Sequence, residues 1–270
     1  MVSRVQRRPP TRTVLPRGIS YFEYQRLVCA EVVIPWLAAR LDLTGLDVGD
    51  FGAHQGGMLD ALRESGLVAS ATGLELSAEI VASSPFVADD RFRLETADVT
   101  ARGPDARTFD LVLLHDVLEH IPELDAALGA VLDALAPGGH CFLSFPPYYS
   151  AFGGHQQLAA GWARATPFLH LLPAGAFFRL ARPAANEYMT AEGALADMVS
   201  VRRTRLTLRG AERAVEGAGF GIVDRELFLV RPEYTVRYGV AKRGAGWLGR
   251  TPFLRELAVN GAFYLLRRER

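Results

Sequence analysis

The sequence predicts an α/β fold: a doubly wound, mainly parallel sheet with a helical cap inserted after the fifth strand. Between residues 45 and 146, apolar runs alternate with segments of helical periodicity, as strands and helices do in turn. The apolar runs are nearly continuous, which is typical of strands that are covered on both faces. After Phe145 the alternation stops, and it resumes near residue 206, which indicates an insertion.

The first elements are a leader and a long helix. Residues 1–20 are rich in Arg and Pro and lack the apolar stretch of a secretory signal, so a flexible leader is expected. From Tyr21 to Leu41 the apolar residues recur at helical spacing, and Pro35 predicts a kink or break. The core, residues 21–147, then has predicted strands over 46–51, 71–75, 91–96, 109–115 and 139–145, and helices over 57–66, 77–84 and 123–136.

The rest of the chain divides into a cap and the completion of the sheet. Residues 148–205 carry helical segments rich in aromatic residues, Pro and Ala, and are predicted to form the cap. Residues 206–270 complete the core, with 231–260 as a second cap segment. The segments 148–205 and 231–260 both leave one face of the predicted sheet, which indicates that they cover a pocket. Ordinary surface packing is the alternative. The elements predicted in this last part are a helix over 206–218 and strands over 221–230 and 261–267.

Composition limits the partners and the compartment. The chain has 270 residues, 49% hydrophobic and 22% charged, and its formal net charge is zero. Nucleic acid and anionic membranes both favour basic proteins, so neither is expected as the main partner. Every apolar run is shorter than the roughly 18 residues of a membrane span. Cys29 and Cys141 lie in apolar contexts, which favours free thiols and a cytoplasmic location.

A glycine-rich loop joins the first strand to the first core helix. Asp50 ends the strand, and Gly52 and Gly56 flank His54 before the helix begins. Glycine lets the backbone turn sharply and approach a ligand closely, and this layout is typical of nucleotide-type sites. The Asp50 carboxylate offers an acceptor for a cationic ligand group.

Polar residues also follow the other predicted strands. Glu75 ends the second strand, Asp98 follows the third, and His115 and Asp116 end the fourth. Ligands of open α/β sheets bind beyond the carboxyl ends of the strands. Helix capping explains each residue alone, but the set together favours one bound ligand.

Together these motifs resemble those of class I S-adenosylmethionine-dependent methyltransferases of the small-molecule type, similar to methyltransferase type 11. The resemblance covers about residues 45–146 and implies a Rossmann-like fold. The residues that carry it are Asp50-x-Gly52-x-His54-x-Gly56, Gly73-Leu74-Glu75-Leu76-Ser77, Ala97-Asp98, Phe109-Asp110, Leu118-Glu119-His120 and Pro137-Gly138-Gly139.

The resemblance implies S-adenosyl-L-methionine as the cofactor and S-adenosyl-L-homocysteine as the product. Asp50 would hold the ammonium of the methionine part, Glu75 would accept from both ribose hydroxyls, and Asp98 would accept from the adenine amino group. Leu76 would pack on the adenine. The other implied contacts are Gly52, His54, Gly56, His115 and Asp116 around the methionine part, and Val99 beside the adenine. Separately, Tyr21 and Gln25 on the N-terminal helix are expected to close over the cofactor.

Two other interpretations of the loop are discounted. Asp50-Phe51-Gly52 spells the kinase magnesium motif, but no His-Arg-Asp loop precedes it. A nicotinamide site would need G-x-G-x-x-G, which this loop lacks. His54 stands where the family has its middle glycine, and it is consistent with a packed spacer, a carboxylate partner or altered chemistry.

The end of the fourth predicted strand carries residues of the types that bind metal ions. Asp116, Glu119 and His120 lie at i, i+3 and i+4, on one face of a helix. Some quinone-type O-methyltransferases with a similar run are thought to hold a divalent ion there, and these ligands suit magnesium or a softer ion. Helix capping and hydrogen bonding are favoured, so no metal is predicted.

Methylation of a hydroxyl group is helped by a general base, and histidine suits that role near neutral pH. His155 is the expected base, because the two glycines before it allow a close approach to the pocket, and His120 is the second candidate. A loop histidine bonded to backbone is the alternative for His155. Aromatic and polar side chains suit an apolar acceptor, and the predicted substrate contacts are Tyr148, Tyr149, His170 and Tyr188.

The predicted function is methyl transfer to a small-molecule acceptor, as O-methylation in bacterial secondary metabolism. Lys242 is the only lysine among 30 basic residues, which indicates a GC-rich genome. The alternatives are an N-methyltransferase and a protein of the same fold that uses the cofactor for a non-methylating reaction. A monomer or a homodimer is expected.

Overall fold

The computed structural model of the protein describes residues 19–101, 107–186 and 189–269. Two expectations fall wholly or mostly outside this part of the chain. They are the flexible leader, of which residues 1–18 are not described, and the substrate contact Tyr188.

The core is one eight-stranded sheet of the described residues, in the order β3-β2-β1-β4-β5-β8-β6-β7. The first five strands pair in parallel, while β8 lies antiparallel between β5 and β6. The predicted mainly parallel α/β sheet is therefore confirmed. The strands are β1 Asp47–Phe51, β2 Ser70–Glu75, β3 Phe92–Thr96, β4 Phe109–His115, β5 Leu135–Phe145, β6 Phe220–Val230, β7 Arg243–Gly244 and β8 Gly261–Arg268.

The helices lie on both faces of the sheet and in the cap, and most agree with the predicted positions. Two of them, α9 and α10, lie within the segment 231–260 that was expected to be a second cap segment. The α-helices are α1 Tyr21–Val28, α2 Ile34–Ala38, α3 Gly57–Ser65, α4 Ala78–Ala82, α5 Leu124–Ala134, α6 Ala174–Leu180, α7 Ala191–Thr204, α8 Leu208–Gly217, α9 Glu233–Tyr238 and α10 Leu254–Ala258.

The N-terminal helix is interrupted where Pro35 predicted a break. A π-helical turn, Cys29–Val33, separates α1 from α2, and Pro35 lies in the first turn of α2. Proline has no N–H to donate and its ring crowds the carbonyl four residues earlier, so the regular hydrogen bonding changes just before it.

The fifth strand begins earlier than expected, at Leu135 instead of residue 139. Its pairing with β4 shifts in register between Phe109 and Leu111, and Gly138 adopts a φ of +76° inside the shifted stretch. Pro137-Gly138-Gly139 therefore forms an irregular part of the strand, whereas the predicted strand began only at residue 139.

Two buried apolar clusters cover the opposite faces of the sheet. One packs α5 and α8 against the strands, and the other packs α1, α2 and α3. The cap has a smaller cluster of its own, which includes Phe177 and Met198. Among the helices that the structure describes, none combines the length and apolar composition needed to cross a membrane.

Candidate active site

The glycine loop between β1 and α3 requires glycine at two positions. Gly52 and Gly56 both have a φ of +80°, in the region that residues with a Cβ rarely adopt. A Cβ at Gly52 would lie 2.5 Å from Cγ2 of Val117, and one at Gly57 would lie 2.2 Å from the carbonyl oxygen of Phe22. The loop is thus held tightly between α1 and the end of β4.

Asp50 ends β1 beneath this loop. Its side chain is buried, and its Oδ2 atom has no hydrogen-bond partner among the described residues. Burial raises the pKa of the carboxyl to about 7, with His115 lowering it and Glu75 raising it further. A buried carboxylate without a partner is unfavourable, so this position suits a cationic group of a ligand.

Glu75 ends β2, the neighbour of β1. Its Oε2 accepts from the backbone N–H of His54 at 3.0 Å, and its Oε1 accepts from that of Ser77 at 2.9 Å. Two loops therefore fix the carboxylate, whose remaining lone pairs can accept further hydrogen bonds. The next side chain, Leu76, is 71% exposed and leaves an apolar surface beside the carboxylate.

His54 connects the loop to α1. Its φ is +49°, its Nδ1 atom is buried without a hydrogen-bond partner in the described parts of the chain, and burial lowers its pKa. The ring meets Tyr21 edge to face, with the ring centroids 4.6 Å apart. The imidazole therefore packs against α1, which supports the interpretation as a spacer and places Tyr21 over the loop.

Asp98 follows β3, at the same edge of the sheet. Its Oδ1 accepts from the backbone N–H of Thr100 at 2.8 Å and from the Thr100 hydroxyl at 2.7 Å. The carboxylate is exposed and begins the short 3₁₀ turn Val99–Ala101. Both Asp98 and Val99 lie beyond β3, beside the end of β2.

The end of β4 carries an ionic cluster that reaches across the sheet. Both carboxylate oxygens of Asp116 accept from Arg231, at 2.6 and 2.8 Å, and Arg231 also donates to Glu233 at 2.6 Å. His115 Nε2 lies 3.5 Å from Glu233, an ion-pair distance too long for a good hydrogen bond. Burial opposes the charge on Glu233, but Arg231 and His115 outweigh it and hold the pKa of Glu233 below its usual range.

Two histidines face each other between the core and the cap. His155 Nδ1 is hydrogen-bonded to Asp197, His120 Nδ1 lies 2.7 Å from Ser200 Oγ, and the two rings are 5.3 Å apart. Asp197 and Ser200 lie three positions apart on α7, so they face the same side of that helix. Helix α7 thereby orients both rings.

The two histidines differ in their electrostatics. Burial disfavours the protonated ring of His155, but Asp197 more than compensates, so the pKa of His155 is raised. For His120, burial dominates and lowers the pKa. A histidine held by a carboxylate at Nδ1 presents Nε2 to the other side, as a general base does.

A cavity of about 150 Å³ lies beside the two histidines, between the sheet edge and the cap. Tyr21, whose ring contacts His54 of the glycine loop, and Asp116 are part of its wall, whereas Asp50, Glu75 and Asp98 are not. The other lining residues are Tyr24, His120, Pro146, Ser150, Phe152, His155, Gln157, Leu158, Met189, Asp197, Arg231, Glu233, Tyr234, Arg237 and Asn260.

Three expected substrate contacts lie elsewhere, which corrects the predicted pocket wall. Tyr148 and His170 are buried against each other, with His170 Nε2 2.6 Å from the Tyr148 carbonyl oxygen, and burial lowers the pKa of His170 to about 4. The backbone N–H of Tyr148 donates to the carbonyl oxygen of Leu206. Tyr149 lines a separate surface cavity with Phe253.

Glu119 has the surroundings of a ligand-binding group. It is buried, neither carboxylate oxygen has a hydrogen-bond partner in the described chain, and burial and Asp116 raise its pKa well above the usual range. Donor atoms of Glu119, His120 and His155 lie within 4.8 Å of one another, which a divalent ion could use. Asp116, which the sequence groups with Glu119 and His120 as a candidate metal ligand, instead forms an ion pair with Arg231.

Sequence reasoning did not identify Asp197, Ser200, Arg231 and Glu233. Asp197 and Arg231 are distant in the chain from His155 and Asp116, the residues that they contact, and none of the four belongs to a motif. The i, i+3 spacing of Asp197 and Ser200 on a helix was the only local signal, and it is common on solvated helices.

Comparison with known proteins identifies the family. A family model described as a methyltransferase domain matches residues 21–188. A Psychrobacter arcticus protein named ubiquinone biosynthesis O-methyltransferase is 33% identical over 112 residues, 39% of this chain and 43% of that protein. A Xanthomonas oryzae pv. oryzae protein of the same name is 31% identical over 120 residues, 42% of this chain and 48% of that protein. The chain thus spans about half the length of these relatives.

A solved structure shows the same fold. The S-adenosylmethionine-dependent methyltransferase from Mesorhizobium loti has a TM-score of 0.53 and 21% identity, over 89% of this chain and 100% of that chain. The predicted Rossmann-like fold of the class I enzymes is therefore confirmed. Because the family model spans more than half of the residues, this chain belongs to the methyltransferase domain family.

Proposed function

We propose that this chain binds S-adenosylmethionine at the ends of β1, β2 and β3 and methylates a hydroxyl oxygen of a small apolar acceptor. The observation that carries the proposal is the His155–Asp197 pair, which lines a cavity whose wall includes Tyr21, the residue that contacts His54 of the glycine loop. The relatives named for ubiquinone biosynthesis support an oxygen acceptor. Those names give no support to the predicted role in secondary metabolism.

The residues at the sheet edge suit this cofactor. The buried, unpartnered oxygen of Asp50 matches a cationic ammonium, the fixed carboxylate of Glu75 matches a pair of hydroxyls, and the exposed Leu76 matches an aromatic ring. When bound, the cofactor supplies an electrophilic methyl group on a sulfonium. The chain's own contribution is to align the acceptor with that methyl group and to remove the acceptor's proton.

His155 would take that proton at Nε2. Its Nδ1 is held by Asp197, which fixes the ring and stabilises the imidazolium that forms. His120 stands beside it with a lowered pKa, so it remains neutral and accepts a hydrogen bond near neutral pH. His155 and His120 therefore keep the catalytic roles predicted from the sequence, as a proposal.

Two alternative functions can be distinguished by one activity assay. An amine acceptor would give an N-methyltransferase, and a divalent ion at Glu119, His120 and His155 would replace proton transfer by activation of a bound oxygen. The unpartnered carboxylate of Glu119 is the observation that favours the ion.

The test is formation of S-adenosylhomocysteine by the purified chain with matched panels of phenols, vicinal diols and amines. We expect product only with hydroxyl acceptors, and the same rate after treatment with a metal chelator. Turnover with amines alone would contradict the oxygen acceptor. Loss of activity in the presence of the chelator, with recovery when a divalent ion is added, would mean that Glu119, His120 and His155 bind a metal ion and that His155 is not the general base.

Cofactor affinity is expected to depend on pH through Asp50. Its pKa of about 7 means that the carboxyl is neutral in acid and must release a proton before it can hold an ammonium group. Affinity should therefore fall by up to about tenfold per pH unit below pH 7 and level off above pH 8. Titration calorimetry between pH 5.5 and 8.5 checks this, and in Asp50→Asn the slope should disappear.

A further inference from the structure

The cap presents an apolar and basic surface that the proposed reaction does not use. Residues 171–176, Leu-Leu-Pro-Ala-Gly-Ala, are all exposed and none is polar. Trp162 is 62% exposed, and Phe168 and Leu180 are exposed nearby in the chain. We call residues 161–182 the cap face. Exposed apolar runs of this kind mark a binding surface in a globular protein.

The cap face is held in a defined conformation. Ala163, Leu169, Phe177 and Ala181 are buried in the small cluster of the cap, and most of the side chains between them are exposed. Arg202 on α7 donates to the carbonyl oxygens of His170 and Leu172, at 2.6 and 2.7 Å. The exposed side chains are therefore displayed by a packed structure.

Charge is distributed unevenly along the chain. Its net charge is zero, but residues 134–186 contain no Asp or Glu. The three arginines of this stretch, Arg164, Arg179 and Arg182, all lie within the cap face and are exposed, and none has an ion-pair partner among the residues that the structure describes. The zero net charge, from which no membrane partner is expected, is therefore an average over a chain that includes this cationic segment.

We infer that the cap face binds the surface of an anionic phospholipid bilayer. Trp and Leu side chains enter the boundary between headgroups and acyl chains, while arginine places its charge at the headgroups. Three exposed arginines without an ion-pair partner among the described residues complement anionic lipid, with a contribution that salt weakens. A second copy of this chain would place the same three charges against each other, which is unfavourable.

Sedimentation with vesicles tests the inference. The full chain should bind vesicles of phosphatidylcholine and phosphatidylglycerol, bind less in high salt, and bind weakly to phosphatidylcholine alone. Leu171→Ser with Leu172→Ser should lower the partition coefficient by about tenfold or more. Arg164→Gln with Arg179→Gln and Arg182→Gln should abolish the preference for anionic lipid. Phe253→Ser is the control, since Phe253, at 84%, is the most exposed large hydrophobic residue in the described part of the chain and lies outside the cap face.

Tryptophan fluorescence locates the contact. Brominated phospholipid should quench Trp162, so quenching should persist in Trp247→Phe and be lost in Trp162→Phe. Absence of binding to anionic vesicles, or equal loss in Phe253→Ser and the leucine variant, would overturn the inference. Elution of wild type as a dimer that the leucine substitutions dissociate, without vesicle binding, would also overturn it. Unchanged thermal unfolding of the variants keeps these outcomes interpretable, because every substituted side chain is exposed.

Discussion

Replacing His155 with alanine is expected to lower kcat for a hydroxyl acceptor by about 10²–10⁴-fold, because the variant lacks the group that takes the acceptor's proton. His155 has a φ of +54°, which alanine adopts less readily than asparagine. His155→Asn is therefore the second variant, since it tolerates this backbone and still lacks a base. The acceptor should have a hydroxyl pKa well above the assay pH.

Asp197 provides the readout that separates catalysis from folding. Because Asp197 raises the pKa of His155, the ring is protonated and inactive as a base at low pH, and kcat should rise as the pH passes that pKa. Asp197→Asn should move this acidic limb to lower pH and reduce the plateau. His140→Ala is the control, since His140 is a partly buried histidine of β5 that does not line the cavity. A full rate in His155→Asn would refute the assignment of the base.

Replacing Glu75 with alanine is expected to weaken cofactor binding by about 1–3 kcal/mol, since a charge-assisted acceptor for two hydroxyls is lost. The same change removes the acceptor of the His54 and Ser77 backbone N–H groups, so the loops on both sides lose their anchor. Glu75→Gln should also bind less tightly, because an amide cannot accept at both positions.

Titration calorimetry with S-adenosylmethionine and S-adenosylhomocysteine measures this loss. Glu79→Ala is the matched control, because Glu79 is an exposed carboxylate four positions along the chain, on α4. If Glu75→Ala binds as tightly as wild type while remaining folded, the cofactor is not held at the end of β2. The proposed function would then lose its cofactor site.

The predicted strands and the glycine loop agree with the structure because both are encoded locally. Near-continuous apolar runs fixed the parallel strands to within a few residues, and parallel strands bring their carboxyl ends to one edge. Asp50, Glu75 and Asp98 therefore lie at the same edge of the sheet. The predicted start of β5 is wrong, since Pro137-Gly138-Gly139 lies between Leu135 and His140, which both pair with β4.

The directions of the cap side chains could not be predicted from local sequence patterns. Its aromatic and histidine residues were all plausible pocket walls, but the fold buries Tyr148 and His170 and places Tyr149 in the wall of a separate surface cavity. Composition alone does not encode which side chain points to which side when the chain has no regular period.

By itself, the sequence determined the sheet, the glycine loop and the acidic edge, because each depends on short-range patterns of apolar, acidic and glycine residues. Only the tertiary structure decided the rest of the site. Asp197 meets His155 across 42 positions, and Arg231 meets Asp116 across 115. Such pairs form because the cap and the strands fold back onto the sheet edge, where a buried charge is stable only beside an opposite one.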